Sequence, residues 1–195
     1  MSLLFERRLS FGLFQSFDQR PEGDLKHVHQ THSSLVLPSD TPELAQQEAD
    51  GIVSATHEKL AIKTADCLPI YLGTQDAKAL LHAGWRGLAG GIIGHPAVAA
   101  IRPTEAFIGP SIRACCFQVT DEFAAHFPQT PLIKHSSGEW RFDLITEAYR
   151  QLHQHYPWIQ ATDSGICTCC DHKFPSFRRD KTTQRIWNLF SPLAQ

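Results

Sequence analysis

His32, Cys67 and His82 combine two imidazoles with one thiolate, a ligand set known for catalytic zinc with the fourth position left to water or substrate. The three are spread widely along the chain, so the site they imply is assembled by folding and is no compact finger. Spacing alone carries little weight; the flanking residues carry more. His32 sits in Gln30-Thr31-His32-Ser33, Cys67 in Thr64-Ala65-Asp66-Cys67-Leu68-Pro69, and His82 in His82-Ala83-Gly84-Trp85-Arg86-Gly87. A ligating thiolate is deprotonated and neutralises part of the charge of the ion, which keeps its Lewis acidity.

The neighbours of these residues admit two readings each. Asp66 is either a turn carboxylate accepting backbone hydrogen bonds, or a group that fixes a histidine tautomer or acts as a base beside the metal. Arg86, one helical turn beyond His82, either faces the same pocket or anchors its loop. Arg178 and Arg179, beside Ser176, form a basic pair whose planar forks suit phosphate, or an ordinary surface pair. Cys167, Cys169, Cys170 and His172 are dense enough to raise a second, structural zinc, with Cys115-Cys116 as the other half. Copper is the lesser candidate for the first site. A blue-copper centre normally adds an axial methionine, and the only methionine is Met1. The only His-x-His pairs, His27 with His29 and His153 with His155, lie outside the three metal-site segments.

The elements that must position these groups read as α+β, a single mixed domain over residues 1–195 with a central, mainly antiparallel sheet flanked by helices. Short β-branched or apolar runs at 51–54, 60–63 and 68–72 predict strands. The run 78–82 leads into Gly84 and Gly87, which predicts a strand ending in a tight turn before a helix, with His82 at the rigid strand end. Residues 105–108 predict a strand closed by Gly109-Pro110. Asp143 reads as an N-cap, with Ile145, Ala148, Tyr149, Leu152 and Tyr156 at helical spacing up to Pro157. A second helix is expected over 120–126. No internal repeat, low-complexity tract or linker stands out.

Composition limits the function classes. A chain of 195 residues with 42% hydrophobic residues can bury a sizeable core without disulfides. A net charge of −2 gives no sign of a nucleic-acid or membrane binder. Residues 1–4 are too short an apolar run for a signal peptide before Glu6, Arg7 and Arg8, and the uncharged stretch 88–101 is too short to span a bilayer. A cytoplasmic protein is therefore expected, with its six cysteines as reduced thiols or ligands.

The motifs together resemble the YfiH family, once labelled multicopper polyphenol oxidoreductases or laccase-domain proteins. The resemblance rests on Gln30-Thr31-His32, Asp50-Gly51, Thr64 to Pro69, His82 to Gly87, the Gly109-Pro110-Ser111-Ile112 segment ending in Cys115-Cys116, and Ser176-Phe177-Arg178-Arg179-Asp180. These occur in the family's order from about residue 28 to 188. The chain departs from the pattern near its start, reaching Gln30 without the usual Gly-Gly-Val-Ser loop in an N-terminally shortened region. It also has Thr182-Thr183-Gln184-Arg185 where a Thr-Gly-Arg is usual. Substrate preference is expected to differ if either feature shapes the pocket.

The resemblance implies His32, Cys67 and His82 as ligands of one zinc and no ligand role for the other cysteines. It implies a purine nucleoside phosphorylase that cleaves adenosine, inosine, guanosine or methylthioadenosine with phosphate and also deaminates adenosine, the latter by zinc-activated water chemistry. Its partners would be small molecules, a nucleoside and phosphate. Three alternatives stay open: a zinc amidohydrolase editing a peptidoglycan precursor, a copper polyphenol oxidase, and a non-catalytic metal-binding domain.

Overall fold

A computed structural model describes residues 1–193. Strands β1 (Leu3–Leu9) and β2 (Gly12–Phe17) form a hairpin, followed by β3 (Val36–Pro38), β4 (Gly51–Ser54), β5 (Leu60–Thr64), β6 (Leu68–Gly73) and β7 (Lys78–Ala83). Two short helices follow, α1 (Trp85–Ala89) and α2 (Pro96–Ala100), then β8 (Glu105–Ile108) and the short strands β9 (Gln118–Val119), β10 (Ile133–Lys134) and β11 (Trp140–Arg141). The chain continues through α3 (Leu144–His155), β12 (Gln160–Asp163), α4 (Phe177–Asp180) and β13 (Ile186–Pro192).

The main sheet has the order β12-β8-β6-β7-β4-β3. Its central pairs, β8 with β6, β6 with β7 and β7 with β4, are antiparallel, while the outer pairs β12 with β8 and β3 with β4 are parallel. Every residue of β6 and β7 is buried, which is why short apolar runs dominate these strands. Side chains alternate faces along a strand. Ile70, Leu72, Leu81 and Ile108 accordingly enter one core with Leu144, Ile145, Ala148 and Leu152 of α3. Tyr71, Leu80 and Phe107 enter a second core on the opposite face, with Phe14, Ile62 and Phe190.

That second core lies under a four-stranded antiparallel sheet, β1-β2-β13-β5. The α+β class and the mainly antiparallel centre match the sequence reading. The flanking differs, because helices cover one face only and this second sheet covers the other. Residues 121–126 are a run of 3-10 turns with no buried residue, in place of the expected helix. With Pro128 close behind and no apolar stripe to bury, that segment has nothing to extend a helix for.

The α3 helix starts where its cap predicts. Asp143 accepts hydrogen bonds from the amides of Ile145 (3.0 Å) and Thr146 (3.2 Å), satisfying donors that have no partner inside the helix. Fully burying side chains such as Leu144 and Leu152 stabilises by about 1.5–3 kcal/mol each. No helix among the described residues is long and apolar enough to cross a membrane.

Candidate metal centre and its cavity

The β6–β7 hairpin brings two of the three sequence-predicted ligands together. Leu68 pairs with Ala83 and Pro69 with His82, so Cys67, just before β6, meets the end of β7. Gly84 makes this approach possible. A Cβ there would stand 3.0 Å from the Cys67 sulfur and 3.5 Å from the His32 ring. His32 arrives on the loop before β3, and its ring centroid lies 4.8 Å from that of His82. The ligating atoms of His32, Cys67 and His82 all lie within 4.8 Å of one another. His82 is buried while His32 is exposed, so the cluster opens toward solvent on one side.

Asp50, placed by the sequence only as the residue opening a strand, organises the cluster. Its buried carboxylate accepts from His82 Nδ1 (2.6 Å) and the His32 amide (3.1 Å) through Oδ1. Through Oδ2 it accepts from the amides of Thr31 (3.2 Å) and Ser33 (2.6 Å) and from Ser33 Oγ (2.7 Å). One carboxylate thus aims the His82 ring and also holds the loop on which His32 sits at φ 61°, a region unfavourable for a residue with a side chain. A histidine that donates from Nδ1 presents Nε2 as a metal donor, the arrangement usual at zinc.

The electrostatics follow from this packing. Burial alone would raise the Asp50 carboxyl, but the hydrogen bonds from His82 and Ser33 hold it at about 2. Burial also opposes the Cys67 thiolate, yet the charges and hydrogen bonds of His82 and His32 bring that thiol down to about 6. His82 is pushed up to about 9 against its burial, by the Cys67 thiolate and by Asp50. A lowered thiol and a raised imidazole beside a carboxylate form a site in which a divalent cation can take the place of the proton. The donor set, the buried aspartate behind it and the glycine that admits it all fit one metal ion.

The cluster forms the floor of a cavity of about 630 Å³, a size usual for small-molecule sites. Lys63, Arg86, Arg178, Lys181 and Arg185 line it, as do the rings of Trp85, Phe117 and Phe177. Arg86 faces this cavity, exposed, with its guanidinium carbon 4.5 Å from the centroid of the Trp85 ring. Sequence reasoning missed Lys63, Lys181 and Arg185, whose only signal was their closeness to recognised motifs.

The other residues singled out in the sequence have partners of their own. Asp66 lines the cavity, and its hydrogen-bond partners are groups other than the histidines. Its Oδ1 accepts from Thr168 Oγ1 (2.7 Å), and its Oδ2 from Ser176 Oγ (3.0 Å) and the Arg178 amide (2.6 Å), so the carboxylate ties the start of α4 to the floor of the cavity. Ser176 is fully buried, caps α4 through the Arg179 amide (3.2 Å) and is not among the residues lining the cavity. Arg179 is also structural. Its guanidinium donates to the carbonyls of Thr168 (3.0 Å), Cys169 (3.0 Å) and Phe174 (2.8 Å) and pairs with Asp180 at 2.7 Å. Arg178 does line the cavity, although its Nη1 already donates to the Gln118 carbonyl at 2.9 Å.

Known proteins share this design. The family model described as multi-copper polyphenol oxidoreductase laccase matches residues 12–191. The purine nucleoside phosphorylase of Aquifex aeolicus is 33% identical over 170 residues, covering 80% of this chain and 77% of the relative. The purine nucleoside phosphorylase YlmD of Geobacillus stearothermophilus is 38% identical over 184 residues (81% and 67%), and YfiH of Escherichia coli, also named a purine nucleoside phosphorylase, 32% over 174 residues (82% and 70%). The crystal structure of Neisseria meningitidis protein NMB0706 superposes with a TM-score of 0.77 at 29% identity, over 87% of this chain and 75% of the other. That of YlmD gives 0.75 at 28%, over 87% and 74%. This chain therefore belongs to the multi-copper polyphenol oxidoreductase laccase family, the group that includes YfiH and YlmD.

Proposed function

We propose that this chain is a zinc-dependent purine nucleoside phosphorylase acting on adenosine, inosine, guanosine or methylthioadenosine, and that the same cavity deaminates adenosine. The carrying observation is that one cavity combines the His32–Cys67–His82 floor, a wall of aromatic faces and a set of cations. The names of the relatives support the same reading.

His32, Cys67 and His82 would hold the zinc, which supplies Lewis acidity at the floor of the cavity when bound. Asp50 keeps the His82 proton on Nδ1 and the His32 loop in its left-handed turn. Trp85, Phe117 and Phe177 offer flat apolar surfaces to a purine. Arg86, Lys181 and Arg185 supply positive charge where phosphate and the departing base carry negative charge. In phosphorolysis a phosphate oxygen bonds to the anomeric carbon as its bond to the base nitrogen breaks, and the base then takes up a proton. Holding both reactants in one cavity accelerates such a step chiefly through positioning.

Zinc is favoured over a multicopper arrangement by the fate of the His-x-His pairs. His27 packs edge-on to Trp187 and His153 stacks on Tyr149, both away from the cluster. Among the described residues no histidine beyond His32 and His82 joins a grouping able to hold a metal. The reading includes small-molecule partners only and a cytoplasmic setting.

The test is mass spectrometry of purified protein incubated with adenosine, with and without phosphate. Adenine and ribose 1-phosphate should appear in equal amounts and depend on phosphate. Adenine with free ribose, at a rate indifferent to phosphate, would make the protein a hydrolase, and no conversion of any purine nucleoside would remove the reading altogether.

A further inference from the structure

Outside the cavity, Cys115, Cys116, Cys167 and Cys170 gather so that their sulfurs lie within 4.8 Å of one another, although the family resemblance implies no ligand role for them. Topology explains the meeting. β8 and β12 are parallel neighbours, so the loops leaving their C-terminal ends emerge side by side. Ser111 and Cys167 form a bridge between those loops, with the Thr168 amide donating to the Ser111 carbonyl at 3.1 Å. A turn in which the amides of Cys170 (3.2 Å) and Asp171 (2.9 Å) donate to the Cys167 carbonyl carries Cys170 back beside Cys167.

The sulfur geometry is that of a metal site. Cys115 lies 3.5 Å from both Cys167 and Cys170 and 3.7 Å from Cys116, and Cys116 lies 3.3 Å from Cys170. A tetrahedral ion with metal–sulfur bonds of about 2.3 Å places its sulfurs about 3.8 Å apart. All four are free thiols. Two disulfides, Cys115 with Cys167 and Cys116 with Cys170, would need an oxidant to use all four, whereas a single ion uses all four in the reduced state. A polynuclear iron–sulfur cluster would hold its sulfurs farther apart.

The surroundings suit the negative charge such a site would carry. Arg141 donates to the Cys115 carbonyl, Arg178 to that of Cys116 at 3.4 Å, and Arg179 to that of Cys169 at 3.0 Å. Three arginine side chains thus reach the backbone of the loops that carry the thiols.

We propose that Cys115, Cys116, Cys167 and Cys170 bind one structural Zn²⁺, distinct from the ion of the cavity. Uptake forms four zinc–sulfur bonds and releases four thiol protons to solvent, leaving a site of net charge −2 that the arginines offset. The ion staples the loop after β8 to the loop after β12. These loops lead into Ile112, Phe117 and Arg178 of the cavity wall, so the staple fixes the shape of that wall. Cys169 and His172, dense neighbours in the sequence, are not in the ligand group.

Native mass spectrometry of protein purified under reducing conditions without chelator tests this. Wild-type chain should carry two zinc ions, Cys67→Ser one, and Cys169→Ser two. Cys115→Ser/Cys170→Ser should carry one, which isolates the four-cysteine site from the cavity metal. Cobalt(II) added to apo Cys67→Ser should give the intense thiolate charge-transfer absorption of a tetrahedral all-sulfur site. Should the double variant not fold, the wild-type and Cys67→Ser zinc counts and this spectrum still decide. A Cys67→Ser chain that takes up neither zinc nor cobalt, whether its cysteines are reduced or peptide mapping finds them paired as disulfides, overturns the proposal. So does a second zinc that survives loss of Cys115 and Cys170.

Discussion

Replacing Asp50 by Asn exchanges one oxygen for an amide nitrogen and should disable the cluster without touching a ligand. The two carboxylate oxygens accept from opposite groups, Oδ1 from His82 Nδ1 and the His32 amide, Oδ2 from Thr31 and Ser33. An amide has one oxygen to offer. If it faces the loop, its NH2 meets His82 Nδ1, which must then give up its proton, and the tautomer that results has Nε2 protonated and unable to ligate. If it faces His82, the NH2 opposes the amides of Thr31 and Ser33 and releases the loop that holds His32. Either orientation costs one ligand.

The magnitude follows from burial. Hydrogen bonds to a charged, buried acceptor contribute roughly 1.5–3 kcal/mol each, and one edge of the amide survives, so the apo protein should lose about 3 kcal/mol. For a chain of this size that lowers Tm by roughly 6–12 °C. Zinc affinity, read by competition with a chromophoric chelator, should fall about 10–100-fold. The pH dependence provides a second check. Asp50 is held at about 2 against an ordinary 3.8, so its contribution of about 2 kcal/mol is complete above pH 3.8 and is lost as pH falls toward 2. Urea melts across that range should be steeper in pH for wild type than for Asp50→Asn. An Asp50→Asn protein with wild-type zinc affinity and wild-type Tm would refute the argument.

Other outcomes follow from the same geometry. Asp66→Asn should keep the cavity metal and lose stability by about 2 kcal/mol, because its partners are Thr168, Ser176 and the Arg178 amide; chelator-measured zinc loss in this variant would return Asp66 to the metal centre. Arg86→Ala should raise the KM for phosphate several-fold with Tm little changed, whereas Arg179→Ala should lower Tm and leave that KM alone; steady-state kinetics and a thermal melt on each variant distinguish the two, and the reverse pattern would sink the assignment. Metal uptake should be coupled to protons, since the folded apo site holds Cys67 at about 6 and His82 at about 9. Between those values the thiol is already ionised and the imidazole still protonated, so binding at the cavity site of Cys115→Ser/Cys170→Ser should release about one proton and strengthen about tenfold per pH unit. Calorimetry in buffers of different ionisation enthalpy measures the number, and a value of zero at pH 7.5 would contradict it.

What could be read from the chain depended on how local its physical cause was. Strands β4, β6 and β7 and helix α3 were legible because burial writes short apolar runs and a cap writes an aspartate. Of the second sheet only β5 was, since β1 carries Glu6, Arg7 and Arg8 at its centre and β13 reaches β2 from the far end of the chain. The metal residues came through their motifs, but the carboxylate that orients them did not. Asp50 and Asp66 both precede buried strands by one or two residues, and nothing in their neighbours says which one faces a histidine. The pleat decides it. Asp50 lies across from the end of β7, where its carbonyl accepts from the His82 amide at 2.7 Å and its carboxylate reaches the same ring. Asp66 instead turns at φ 84° toward the Thr168 and Ser176 hydroxyls, on segments a hundred residues later in the chain. The adjacent pair Arg178-Arg179 separates for the same kind of reason. Successive positions on the one-turn helix α4 point about 100° apart. One guanidinium therefore lines the cavity while the next is consumed by carbonyls of the cysteine loop. The four-cysteine cluster depends on β8 and β12 being neighbours, a parallel pairing with α3 between them in sequence, and so it becomes visible only once the crossover is known.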